Sequence, residues 1–211
     1  MPRPNRILFQ GGLYHVCNKG TEPLFRDEAD RIHWITLLRE IKEESAIKIL
    51  AYSLRPQHYH LVLQTPEANL DRVMEKLSRS YSRYFNEKYQ RRGRLYQGPY
   101  RAKVVQKDKY LLPLIKYVHL NPEWSSHAYY QGRKADLLVD TAPVLAAFAV
   151  ELEDARSRYE AYLLTPLAKK EFKRLDSFRN GVLGDLASIL PALPAASFSA
   201  PDAVRAAAPH N

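Results

Sequence analysis

The chain has 211 residues, 45% of them hydrophobic, which is enough apolar material for one substantial core with an extension. Its formal net charge is +9 at pH 7, so a polyanionic partner such as nucleic acid is favoured. The single cysteine, Cys17, excludes an intramolecular disulfide, and no apolar stretch has the length of a membrane span or the pattern of a secretory signal. We therefore expect a cytoplasmic location and no membrane partner.

Hydrophobic periodicity and turn residues predict the elements along the chain. In order, they are a strand at 13–18, a helix at 27–44, strands at 47–54 and 58–65, a helix from 69, a strand at 101–106 and a helix at 108–121. This βαββαβα order predicts an α+β protein of the ferredoxin-like or RRM-like type. Its antiparallel sheet would carry two helices on one face, and the last helix would cross the other face.

Apolar stripes indicate the buried side of each helix. The stripes of the first and second helices are Ile32, Ile35, Leu38 and Ile41, and Val73, Leu77, Tyr81 and Tyr84. The stripe of the last helix is Leu111, Leu114, Ile115 and Val118. Asn69 or Asp71 would cap the second helix, and Asp108 the last. Pro113 is expected within the first turn of the last helix, since proline disrupts a helix interior.

His58 and His60 are the residues with the clearest chemical meaning. Side chains two apart in a strand point to the same side of the sheet, so both imidazoles can face one metal ion. Tyr59, Leu61 and Leu63 would then pack into the core. The alternative is a solvated or hydrogen-bonded strand face, because a metal site needs further ligands.

Tyr117 and Asn121 lie four residues apart on the predicted last helix and so share one face. This face would therefore present both a phenol that can act as a nucleophile and an amide that can act as a ligand. Tyr110 is the rival nucleophile on nearly the same face, but no ligand-type residue follows it four positions later. His119 is expected to point away from Tyr117, toward solvent or a partner.

Several segments in a fixed order resemble the single-tyrosine HUH transposases, and among them the REP-associated tyrosine transposases. They are LYHVCNKG (13–20), RDEADR (26–31), AYSLRPQHYHLVLQTPEANL (51–70) and SRYFNEKYQRRGRLYQGPYRAKVVQKDKYLLPLIKYVHLNP (82–122). The resemblance extends over about 120 of the 211 residues. It departs from the family after Pro122, and Gln57 stands where the family often has asparagine.

The resemblance implies a DNA transesterase, and the family's functional residues map onto matching positions of this chain. Tyr117 would attack a DNA phosphodiester to give a 5′-phosphotyrosine, and His58, His60 and Asn121 would hold Mg²⁺ or Mn²⁺. The partner would be single-stranded hairpin DNA from a palindromic repeat, which would place the protein at the bacterial nucleoid.

The catalytic domain would span 1–125, followed by a helical extension at 126–187, with a helix at 141–163, and a disordered tail at 188–211. His15, in a neighbouring strand, could support the histidine pair.

Basic residues are concentrated between Arg79 and Lys116, where eleven Lys or Arg stand against two acids. This local surplus is typical of a nucleic-acid interface, and aromatic residues run through it. Those aromatics either stack on bases or belong to the core. The candidate DNA-binding residues are Arg79, Arg83, Arg91, Arg92, Arg94, Arg101 and Lys103.

Two other functions remain open at this point. A nucleic-acid-binding protein could keep the fold without turnover, in which case binding would need neither metal nor Tyr117. A hydrolase could use water in place of tyrosine, although no acidic cluster near the histidines supports it. The sequence is compatible with a monomer or a homodimer.

Overall fold

The computed structural model describes residues 6–120, 123–178 and 181–189. The main domain contains β1 (Leu13–Lys19), α1 (Glu28–Ser45), β2 (Lys48–Arg55), β3 (His58–Gln64), α2 (Leu70–Lys88), β4 (Arg101–Val105) and α3 (Lys107–His119). The extension contains α4 (His127–Tyr130), α5 (Ala142–Leu145), α6 (Leu152–Leu164), α7 (Lys169–Asp176), β5 (Val182–Leu183) and α8 (Leu186–Ile189). None of the described helices is both long and apolar enough to span a bilayer.

The strands form one sheet in the order β2-β3-β1-β4-β5. The first four are antiparallel to their neighbours, as predicted for the ferredoxin-like order, and the predicted α+β class is confirmed. β5 is an addition that the sequence did not indicate, and it pairs in parallel with β4. The extension therefore contributes a strand to the same sheet that carries the histidine pair.

Alternation along β3 gives the sheet two different faces. Tyr59, Leu61 and Leu63 are fully buried on the face covered by the first two helices, and the Trp34 ring of α1 lies 4.9 Å from the Tyr59 ring. His58 and His60 point to the opposite face. α3 packs on that second face through Leu114, Ile115 and Val118, which are all buried.

The start of α1 is fixed by a capping box, in which Asp27 accepts a hydrogen bond from the Asp30 amide at 2.9 Å. Asp30 is completely buried, and Lys88 at the end of α2 pairs with it at 2.8 Å. The prediction that Ile32 is buried is wrong, since 53% of it is exposed. Asp30 and Trp34 define the inward side, and a residue two positions from each lies on the other side of the helix.

α3 begins at Lys107, with Gln106 as its N-cap and Asp108 inside the first turn. The predicted position of Pro113 is wrong, because this proline lies in the helix interior. Its missing N–H removes one hydrogen bond, to the carbonyl four residues earlier, while the buried stripe on either side keeps the helix packed on the sheet. Asn121 and Pro122, at the predicted helix end, lie outside the described residues.

The prediction of one continuous helix at 141–163 is wrong. The structure has two helices there, α5 and α6, joined by a tight segment in which the Phe148 amide bonds to the Leu145 carbonyl at 2.9 Å. Val150 in this connection is fully exposed, so no packing supports a continuous helix. Ser188 and Ile189, assigned by the sequence to the tail, belong to α8, and 190–211 lie outside the described residues.

Replacement of Trp34 by alanine should destabilise the protein by about 3–5 kcal/mol, because a fully buried indole leaves a cavity between α1 and the sheet. Urea unfolding followed by circular dichroism would measure the loss. Ile32→Ala, on the exposed side of the same helix, is the matched control and should change the unfolding free energy by about 0.5 kcal/mol or less. Equal effects of the two substitutions would contradict the assigned helix orientation.

Candidate active site

The histidine pair lies at one end of β3, on the face opposite α1 and α2. The His58 and His60 rings are 5.1 Å apart between centroids and nearly perpendicular. Burial lowers the pKa of His60 to about 3, helped by its neighbour His58. Burial also lowers the pKa of His58, followed by the positive charge of Arg55. Both imidazoles are thus neutral at pH 7, the form that binds metal ions.

A third histidine fixes the orientation of His60. His15 of β1 is completely buried, and its Nε2 lies 2.9 Å from Nδ1 of His60. This hydrogen bond occupies one ring nitrogen of His60 and directs Nε2 away from His15. Burial lowers the pKa of His15, so both members of this pair are neutral. His15 thus lies in the strand beside the histidine pair and contacts it, as the sequence suggested.

Tyr117 of α3 packs against His60 and His15. Its ring centroid is 5.3 Å from that of His60 and 6.0 Å from that of His15, in edge-on contacts. Only 2% of Tyr117 is exposed. Its hydroxyl donates a 2.7 Å hydrogen bond to the Asp176 carboxylate at the end of α7. Burial and then this carboxylate raise the pKa of the phenol, so in this conformation Tyr117 is held protonated.

α7 covers the tyrosine from the side away from the sheet. The Phe172 ring packs edge-on against Tyr117 with a centroid distance of 5.3 Å. Lys103 of β4 anchors the end of the helix, since its ammonium donates to the carbonyls of Ser177 at 2.9 Å, Arg174 at 3.2 Å, and Leu175. These bonds satisfy helix-end carbonyls that would otherwise lack partners. The extension therefore closes over Tyr117.

An open cavity of about 550 Å³ lies beside the histidine pair. His58, His60 and Cys17 form its floor, Gly98 and Arg101 line it from β4 and the preceding loop, and Asp176 borders it. Burial raises the pKa of the Cys17 thiol to about 12, so this side chain is not a thiolate at neutral pH. The cavity therefore opens onto the two imidazoles, while Tyr117 stays behind α7.

The comparison with protein families shows which family the chain belongs to. Residues 13–121, which are 109 of the 211, match the family model described as transposase IS200-like. The chain belongs to the IS200-like transposase family. The family resemblance inferred from the sequence motifs is confirmed, and a transposase role follows from the membership.

Two solved structures are similar to this transposase. A REP-associated tyrosine transposase bound to a REP hairpin aligns with a TM-score of 0.54 and 13% identity, over 66% of this chain and 94% of that one. A Deinococcus radiodurans R1 protein assigned as a transposase aligns with a TM-score of 0.39 and 18% identity, over 54% and 93% of the two chains. At 13% identity, the similarity to the first of these structures shows that the two proteins share a fold. The comparison with curated proteins gave no match.

The basic residues predicted to bind DNA have different surroundings in the transposase. Arg83, Arg92, Arg94 and Arg101 are exposed, whereas Arg79 pairs with Glu75, and Arg91 pairs with Glu22. The loop before β4 lies beside the end of β1, where the Gln97 amide bonds to the Lys19 carbonyl at 2.9 Å. Lys19 is opposite His58 in the sheet, so this basic loop and the histidine pair share one end of the molecule. Lys103 is the exception, because it is buried and bonded to α7.

Aromatic residues in the basic region mostly belong to the core. Tyr81 and Phe85 are completely buried, and Tyr96 and Tyr100 are each 8% exposed. Tyr84 and Tyr89 are half-buried, and both bond to Asp30 of α1. In this structure the aromatics therefore join α2 and the following loop to the domain, which is the second of the two interpretations left open by the sequence.

The expectation that His119 contacts solvent or a partner is wrong. Only 3% of it is exposed, and its two ring nitrogens lie 2.6 Å from the Tyr159 hydroxyl and 2.6 Å from the Ser126 hydroxyl. Tyr159 comes from α6, so the extension supplies the partner that covers this face of α3. Tyr110, the rival nucleophile, contacts Arg174 of α7 and has neither histidine as a neighbouring ring among the described contacts.

Three residues near Tyr117 were missed by the sequence analysis: Phe172, Asp176 and Arg55. Phe172 and Asp176 lie more than 50 positions away in the chain, and a helix of eight residues carries no signal of what it covers. Arg55 could have been found, since its place opposite His58 follows from the hairpin. It was interpreted only as part of the turn.

Proposed function

We propose that this transposase is a metal-dependent DNA transesterase that binds hairpin-bearing single-stranded DNA and cleaves and rejoins it through a 5′-phosphotyrosine. The observation that supports this most directly is the grouping of three rings in the site: the His60 ring centroid lies 5.1 Å from that of His15 and 5.3 Å from that of Tyr117. A phenol packed against a pair of neutral imidazoles that line an open cavity supplies the groups that such a reaction requires.

The reaction is an exchange of phosphodiester bonds. Tyr117 Oη attacks the phosphorus in line with the 3′ oxygen of the preceding nucleotide. The new bond joins Oη to phosphorus, and the bond to the 3′ oxygen breaks. The phenol proton passes to solvent and the leaving 3′ oxygen takes up a proton, so atoms and charge balance. Attack by the 3′ hydroxyl of another DNA end reverses these steps and frees Tyr117, which explains why no nucleotide cofactor is needed.

His58 and His60 fit the metal that the family resemblance implies. Both are neutral, both line the cavity, and the bond to His15 leaves Nε2 of His60 available. Residues 6–120, 123–178 and 181–189 contain no group of three His, Cys, Asp or Glu side chains placed to hold a metal. Asn121, the proposed third ligand, lies outside these ranges. When bound, Mg²⁺ or Mn²⁺ would polarise the scissile phosphate.

The DNA would approach along the end of the sheet that carries the histidines. Arg92 and Arg94 of the basic loop and Arg101 at the cavity rim are exposed and would neutralise backbone phosphates. The similar transposase of known structure was solved with a REP hairpin, which supports a palindromic hairpin as the substrate. Phosphate contacts of this kind predict that binding weakens steeply with salt.

The test uses the purified full chain and a single-stranded oligonucleotide that carries the palindrome flanking its own gene. Separate 3′-labelled and 5′-labelled samples are incubated with Mn²⁺, Mg²⁺ or EDTA and run on a denaturing gel. A 5′-phosphotyrosine predicts a protein-DNA band with the 3′ label only, a shorter free fragment with the 5′ label, and neither in EDTA. A scrambled stem of equal length is the control for hairpin recognition. Tight binding without an adduct in either metal would instead support a binding protein without turnover.

A further inference from the structure

Arg55 occupies the last position of β2, next to the site. In the β2–β3 ladder, Arg55 is opposite His58 and Ser53 is opposite His60. Residues opposite each other in an antiparallel pair project to the same face. The guanidinium side chain therefore starts from the face that carries the two imidazoles, on the side of β3 that is away from the open cavity and toward α3.

The guanidinium of Arg55 has no counterion in the described part of the chain. Its Nε is buried without a hydrogen-bond partner, and no ion pair or hydrogen bond involves its side chain there. Several other arginines have carboxylate partners, among them Arg39 with Asp136 at 3.0 Å and Arg91 with Glu22 at 2.8 Å. A half-buried cation with a buried, unpartnered Nε–H is costly, and an anionic ligand at this position would supply the missing acceptor.

The charge of Arg55 acts on all three of the central groups. After burial, it is the next cause that lowers the pKa of His58, and it also lowers that of His60, behind burial and His58. It opposes the rise in the pKa of Tyr117 that burial and Asp176 produce. The ladder also places Arg55 directly opposite His58, on the face shared by both imidazoles, so its side chain can reach a phosphate bound at the histidine pair.

We propose that Arg55 binds a non-bridging oxygen of the scissile phosphodiester. The inference rests on the proposed transesterase function and adds a residue to its substrate site. A planar guanidinium can donate two parallel N–H bonds to a phosphate, whereas an imidazole that holds a metal has at most its other ring N–H to donate. The phosphorane-like transition state carries more negative charge on these oxygens than the bound DNA does, so the cation favours the transition state over the ground state. The same positive charge favours the phenolate form of Tyr117 over the phenol.

The first arm of the test compares single-turnover cleavage by the wild type, Arg55→Met and Arg55→Lys at saturating DNA and metal. Arg55→Met should cleave about 100- to 1,000-fold more slowly, while Arg55→Lys, which keeps the charge and loses the paired donors, should lose less. The dissociation constant for hairpin DNA in EDTA should change by less than about threefold, since one of many phosphate contacts is lost. Arg133→Met removes an equal charge from an exposed loop and should cleave at the wild-type rate.

A methylphosphonate at the scissile position separates a phosphate contact from a structural role. This linkage lacks the negative charge that Arg55 would neutralise, so the penalty of Arg55→Met should shrink to less than about tenfold. An equal penalty on both substrates, or wild-type cleavage by Arg55→Met, would overturn the inference. Thermal melting of each variant shows whether the fold is retained.

A final arm does not depend on turnover and so separates this inference from the proposed function. In Tyr117→Phe, the Nε–H signal of Arg55, assigned by its absence in Arg55→Lys, should shift in nitrogen-15 NMR spectra when hairpin DNA is added. An unshifted signal in the presence of bound DNA overturns the phosphate contact. A wild-type protein that forms no adduct while the signal does shift would instead reject the transesterase and retain Arg55 as a phosphate-binding residue.

Discussion

Tyr117→Phe is expected to abolish the covalent protein-DNA adduct and to reduce cleavage by a factor on the order of 10⁴ or more. The substitution removes only the hydroxyl oxygen that would attack phosphorus, and the ring that packs against His60 and Phe172 is retained. Binding of hairpin DNA should therefore be close to that of the wild type. Gel analysis of 3′-labelled DNA measures the adduct, and fluorescence anisotropy measures the affinity.

Tyr110→Phe is the matched control for this prediction. It removes the same atom from the same helix, two turns earlier, where the hydroxyl contacts Arg174 and not the histidines. This variant should still form the adduct, and peptide mapping of the wild-type adduct should place the nucleotide on Tyr117. An adduct that survives in Tyr117→Phe and is lost in Tyr110→Phe would reverse the assignment of the nucleophile.

Local patterns predicted those parts of the site that depend on neighbouring positions in the chain. The alternation through Tyr59, Leu61 and Leu63 placed both histidines on one face, and the apolar stripe with Leu114, Ile115 and Val118 predicted the side of α3 that packs on the sheet. Ile32 shows the limit of the same reasoning. Trp34 and Ile32 are both plausible core residues by hydrophobicity, and the buried Asp30, paired with Lys88 of another helix, decides which side of α1 faces inward.

Contacts between distant segments account for what the sequence did not predict. Asp176 and Tyr117 are 59 positions apart. Lys103 is more than 70 positions from the residues at the end of α7 whose carbonyls it binds. A lysine in a basic stretch is ordinarily a solvent-exposed cation, so Lys103 was interpreted as a DNA contact. Its burial follows from the folding of α7 across β4, where three carbonyls take the place of water. Local periodicity contains no information on that docking.

Weakening the contact between α7 and Tyr117 is expected to increase cleavage. In the closed arrangement the phenol is shielded from DNA and donates its proton to Asp176, so the reactive fraction of the protein is the fraction in which α7 has moved away. Asp176→Ala removes the acceptor and should raise the single-turnover rate by about tenfold, the effect of losing one hydrogen bond to a charged group. Asp176→Asn keeps an acceptor oxygen and should have a smaller effect.

Lys170→Ala provides the control for this second prediction, because Lys170 is an exposed residue of the same helix and makes none of the described contacts with Tyr117. It should leave the rate unchanged. Phe172→Ala removes the ring that covers Tyr117 and should increase the rate in the same direction as Asp176→Ala. A fall in the rate for Asp176→Ala, with hairpin binding intact, would mean that the carboxylate assists Tyr117 during the reaction. The bond between Asp176 and Tyr117 would then belong to the catalytic conformation, and α7 would be a part of the active site that the extension supplies.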